Sequence, residues 1–137
     1  MIYNYKTYNI FISHSWAYSY QYDKVEGFLH QEGLAFKNYS VPKDSPVHTN
    51  GKDKQLYEAI KKQIAYANCV LILAGVYSSY SKWIDKEIQI AKELGKPIIA
   101  IEYWGSEHTS IKVKAAADKI VGWNARSIVK AIKEYAL

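Results

Sequence analysis

Trp83 and Glu87 are the residues whose types and spacing say most about chemistry. Set four apart, they fall on one face of a helix beside the apolar positions Ile84 and Ile88, which puts the carboxylate near the edge of a buried stripe. Such a carboxylate is either a solvated helix residue next to a packing tryptophan or a charge held against a ligand, and the spacing leaves both open. Other chemistries are excluded by what is missing. There is no G-x-G-x-x-G and no G-x-x-x-x-G-K-[ST], so neither a redox dinucleotide fingerprint nor a P-loop is present. His14, His30, His48 and His108 are scattered with no pair at ligand spacing, and Cys69 is the only cysteine. No metal site and no intramolecular disulfide are therefore expected.

The elements that must position Glu87 follow from the hydrophobic pattern. Tyr8 to Ser13, YNIFIS, is a run of strand formers ending in small polar residues, and Leu34 to Tyr39 reads as a second strand. Between them, from about Tyr18 to Glu32, Tyr18, Tyr22, Val25 and Leu29 recur at helical spacing and Gly33 supplies a stop. Ser40 to Gly51, with two prolines and a glycine, is a long loop. Leu56, Ile60 and Ile64 mark the next helix, and the unbroken apolar run Cys69 to Gly75 has the character of a central strand covered on both faces. Lys82 to Leu94 is predicted as a helix with Ile84, Ile88 and Ala91 inward, closed by Gly95 and Pro97. Pro97 to Tyr103 is a fourth strand, Ile111 to Ala117 a short helix, Lys119 to Gly122 a fifth strand, and Ala125 to Tyr135 a last helix with Ile128, Ile132 and Tyr135 inward.

Strands alternating with helices predict an α/β fold: a single flavodoxin-like domain over residues 1–137, with a five-stranded, mostly parallel sheet and helices on both faces. In that topology a ligand crevice opens beyond the carboxyl ends of the first and third strands, at Ser13 to Trp16 and Gly75 to Ser81. A phosphoaccepting receiver of this topology would carry acids there, but the positions read Ser13-His14 and Ala74-Gly75.

The chain has 137 residues, enough for one core that needs no covalent staple and too few for two. Its formal charge of +5 is spread along the sequence, which suits an anionic ligand but shows no dense Lys/Arg face, so nucleic acid is not an expected partner. Residues 1–20 lack the basic start and unbroken apolar stretch of a signal peptide, and no segment nears the roughly 20 apolar residues of a membrane span. A cytoplasmic protein without membrane association is expected.

YNIFISHSW, CVLILAG and SKWIDKEIQIAKELGKPIIAI together resemble a TIR domain of the bacterial ThsB-like branch, associated with Thoeris antiphage defence. The resemblance covers nearly the whole chain, and its most specific segment is W-x-x-x-E at Trp83 to Glu87. It implies an enzyme that consumes NAD as substrate and needs no cofactor, with Glu87 as the catalytic residue. The implied product is a cyclic ADP-ribose isomer that diffuses to a separate effector protein, and the implied assembly is self-association of TIR domains.

With that substrate, Ser13 and His14 are candidates for hydrogen bonds to ribose or nicotinamide. Trp16, Tyr77, Tyr80 and Trp83 are candidates for stacking on its rings. Lys43 and Asp44 lie in the long loop, which corresponds to the family's BB loop, and Lys52 and Lys54 just beyond it; the lysines could meet the pyrophosphate. Arg126 is the only arginine, so an arginine clamp is not expected. Two alternatives remain: a TIR scaffold that only assembles partners, and glycosyl transfer like that of a nucleoside deoxyribosyltransferase, which also sets a glutamate against an anomeric carbon.

Overall fold

The computed structural model describes residues 6–13, 19–40, 53–74, 81–102 and 111–137, with the backbone alone described at Ser19, Gln21, Asp53, Leu56, residues 81–83 and residues 111–112. Along the chain run β1 (Tyr8–Ile12), α1 (Ser19–Gln31), β2 (Phe36–Asn38), α2 (Asp53–Tyr66), β3 (Cys69–Leu73), α3 (Ser81–Glu93), β4 (Ile98–Ile101), α4 (Ile111–Ala116), β5 (Lys119–Val121) and α5 (Ala125–Tyr135). The five strands form one sheet in the order β2-β1-β3-β4-β5, and all four pairings are parallel. This is the doubly wound order expected from the sequence, with its switch point between β1 and β3.

The period of two along each strand divides the core. Ile10, Ile12, Cys69, Leu71, Leu73, Ile99 and Ile101 pack with Val25 and Leu29 of α1 and Ile128 and Ile132 of α5. Phe11, Val70, Ile72, Ile98 and Ala100 point the other way, onto Ile60 and Ile64 of α2, Ile84, Ile90 and Ala91 of α3, and Val113 of α4. β3 is buried at all five positions because both faces are covered.

Helix ends are set locally. Gly33 and Gly95 have φ of +68° and +66°, the left-handed conformation that ends α1 and α3. In each case the following amide, Leu34 or Lys96, reaches back to the carbonyl of Leu29 or Ala91. Asn124 caps α5, its side chain accepting from the Ser127 amide at 2.8 Å. β2 is shorter than the sequence suggests. Past Asn38 the Ser40 hydroxyl, rather than a backbone carbonyl, accepts the Ile12 amide at 3.0 Å, so the ladder stops there. No helix among the described residues is long and apolar enough to cross a membrane.

Candidate functional site

Ser13 follows the last residue of β1 and continues its alternation. Ile10 and Ile12 face α1 and α5, so Phe11 and Ser13 face the side that holds α3. The Ser13 amide donates to the Leu71 carbonyl at 2.9 Å, which carries the pairing with β3 one residue beyond the strand. α3 crosses that same side with Ile84, Ile90 and Ala91 buried. Glu87 lies in the middle of this arc, 3% exposed, and the Ser13 hydroxyl donates to its Oε1 at 2.8 Å.

The arrangement corrects the reading of the helix. Ile88, expected inward, is only half-buried, while Ile90 is fully buried and Glu87 belongs to the buried arc rather than its edge. The physical reason is that α3 packs both on the sheet and against α2, so its covered arc is wider than a single i, i+4 row. A buried carboxylate is costly unless it is hydrogen-bonded. Glu87 and Ser13 are the two buried polar side chains among the described residues. Glu87 is therefore not a solvated helix residue.

A second polar cluster lies beside β1. Asn38 donates to Glu26 Oε2 at 2.9 Å and to the Tyr22 hydroxyl, and its Oδ1 accepts both the Ser40 hydroxyl and, at 2.9 Å, the Ser40 amide. Burial is the main cause that pushes the Tyr22 phenol above its usual range. This cluster fixes the chain at the point where the long loop leaves the sheet. The sequence reading did not include it, although an asparagine ending a strand two residues before a serine is a turn signal.

A profile of the Thoeris protein ThsB TIR-like domain matches residues 11–108 of the 137. The chain belongs to the ThsB TIR-like family. That match spans Ser13, α3 and Glu87. Curated proteins gave no significant sequence match. Among solved structures the domain is similar to the Clostridium botulinum CMP N-glycosidase BcmB, with a TM-score of 0.51 and 19% identity over 91% of this chain and 98% of that one. It is also similar to a de novo designed Rossmann 2x3 protein, with a TM-score of 0.50 and 10% identity over 93% of this chain and 87% of the design. At these identities the likeness is one of fold.

Of the residues singled out by sequence, the structure brings Ser13 and Glu87 into contact across 74 positions of chain. Trp83 lies in the first turn of the same helix, one turn before Glu87; its side chain is outside the described residues. His14, Trp16, Lys43, Asp44, Lys52, Tyr77 and Tyr80 also lie outside them. Lys54 is exposed on the first turn of α2. No group of three or more potential metal ligands occurs among the described residues. A surface cavity of about 360 Å³ on α1, lined by Tyr20, Asp23, Lys24, Gly27, Phe28 and Gln31, includes none of the residues picked out by sequence.

Proposed function

We propose that this ThsB TIR-like domain cleaves the nicotinamide–ribose bond of NAD+, with Glu87 as the catalytic carboxylate, and forms a cyclic ADP-ribose isomer. The observation that carries the reading is a glutamate buried in the helix after the third strand of a ThsB-family chain and hydrogen-bonded to the end of β1.

In NAD+ the leaving nicotinamide already bears the positive charge, so it departs with the bonding electron pair and needs no general acid. The ribose it leaves has oxocarbenium character. A carboxylate fixed beside that carbon stabilises the cation by its field or traps it covalently, as carboxylates do in glycosidases. Water exclusion around Glu87 strengthens the field. For cyclisation, a nucleophile within the same ADP-ribose must reach the anomeric carbon before water does, a proximity problem. Trp16, Tyr77, Tyr80 and Trp83 are the proposed stacking walls, His14 the proposed polar contact, and Lys43 and Asp44 the proposed loop contacts. NAD+ enters as substrate and no further cofactor is proposed. The product reaches a separate effector protein by diffusion in the cytoplasm, and the domain works as a self-associated assembly.

The test is chromatography with mass spectrometry on NAD+ incubated with the wild-type domain at high concentration, with and without lysate of phage-infected cells. A product with the mass of NAD+ minus nicotinamide is expected; intact NAD+ in every arm contradicts the proposal. The CMP N-glycosidase of similar fold prompts a second reading, cleavage or exchange at a nucleoside or nucleotide base. CMP, or a deoxynucleoside with a free base, in the same assay separates them, because base release or exchange without NAD+ loss favours the second.

A further inference from the structure

We infer that Ser13 is a positioning residue for Glu87, holding the carboxylate in the orientation in which it meets substrate; the inference rests on the proposed NAD-cleaving function. Sequence alone offered Ser13 as a substrate contact. The structure gives its hydroxyl to Glu87 Oε1 at 2.8 Å and leaves Ser13 no exposed surface, while Glu87 keeps 3%. Ser13 thus presents no surface of its own to a substrate.

The donor is itself held on a fixed backbone. The Ser13 amide is tied to the Leu71 carbonyl at 2.9 Å, and the preceding Ile12 amide to the Ser40 hydroxyl at 3.0 Å. β1 is central in the sheet, paired with β2 on one side and β3 on the other. A glutamate side chain has three rotatable bonds, and a hydroxyl on one oxygen from a second, rigid element restricts the last of them. Such a second contact from the scaffold keeps a reacting group within the narrow range of productive geometry. An ionised carboxylate only accepts hydrogen bonds, and the serine hydroxyl is one donor to it.

The experiment compares wild type with Ser13→Ala, Ser13→Cys, Glu87→Ala and the double variant Ser13→Ala/Glu87→Ala, reading kcat and KM for NAD+ together with thermal melts. For a hydrogen bond to a charged group, Ser13→Ala is expected to lower kcat about 10- to 100-fold, with KM within about twofold. Ser13→Cys, close in volume and a weak donor, is expected to fall between. In the double variant the loss of the serine should add nothing to the loss of the glutamate. A raised KM with unchanged kcat in Ser13→Ala makes the serine a substrate contact and overturns the inference while sparing the proposed function. Wild-type turnover in Glu87→Ala overturns the proposed function itself, and with it the role given to Ser13. If the wild type turns over no NAD+, the proposed function fails, and the melts still decide the contact: melting shifts that simply add in the double variant overturn it, and a combined shift smaller than the sum supports it.

Discussion

Asn68 and Asp118 at one end of the sheet and the Ser13–Glu87 pair at the other use polar side chains in opposite ways. At the amino-terminal end they serve the backbone: Asn68 accepts the Asn9 amide at 2.8 Å, and Asp118 accepts the Ile98 amide at 2.8 Å. Each sits just before a strand and closes a place where the ladder would leave an amide without a partner. At the carboxyl-terminal end Ser13 and Glu87 instead bond side chain to side chain, deep enough that the pair is all but closed to solvent. The difference separates groups that hold the fold from groups the fold holds. A carboxylate kept inside an apolar helix face costs stability that an alanine or leucine there would not, which is the expected mark of a site in an otherwise consistent sequence.

Substitutions can break this comparison, and the largest effect should come from neither end. Ile132→Ala removes a fully buried side chain between α5 and the sheet and should cost about 2–5 kcal/mol in urea unfolding, from lost burial and the cavity left behind. Asp118→Ala should cost about 1–3 kcal/mol by leaving the Ile98 amide without its partner, with NAD+ turnover unchanged; lost turnover at equal stability would erase the division between the ends. Asn124→Ala removes the cap of α5 and should cost about 1 kcal/mol.

The smallest effect is a pH dependence to which two buried groups on the α1/α5 side contribute. Burial raises the Cys69 thiol from 9.0 to about 12, and it also raises the Tyr22 phenol; both lie in that half of the core. Groups that stay protonated in the folded state while the unfolded chain ionises contribute their full stability below the unfolded value, here about pH 9, and lose it as pH rises toward 12. The melting temperature should therefore fall progressively above pH 9, and Cys69 should resist thiol reagents at pH 8 until the protein unfolds. Rapid labelling of the native protein would contradict this.

Most of the fold was legible in the sequence because its signals are local. Each strand run lies within the segment predicted for it, Gly33 and Gly95 stop their helices, and the unbroken Cys69–Leu73 run is the doubly covered central strand. Glu87 was legible as a candidate through its spacing from Trp83 and the family resemblance. Its depth was not, because a charged residue reads as polar in any periodic pattern, and the arc that buries it depends on how α3 meets α2 as well as the sheet. The Ser13–Glu87 contact joins residues far apart in sequence. Strand parity puts Ser13 on the side of Phe11, and crossover handedness puts α3 there too, but the distance between them is set by tertiary packing. Asn68, Asp118 and the Asn38–Ser40 cluster escaped notice because single polar residues beside strands have no period to reveal them.

Under the proposed function, Glu87 is kept buried for chemistry rather than for stability. Glu87→Gln keeps the shape and one acceptor oxygen for the Ser13 hydroxyl while removing the charge, so one preparation should be compared with wild type in a thermal melt and an NAD+ turnover assay. A melting temperature within a few degrees of wild type and turnover reduced about 100-fold or more are expected. Turnover equal to wild type in a folded Glu87→Gln protein would contradict the proposed function.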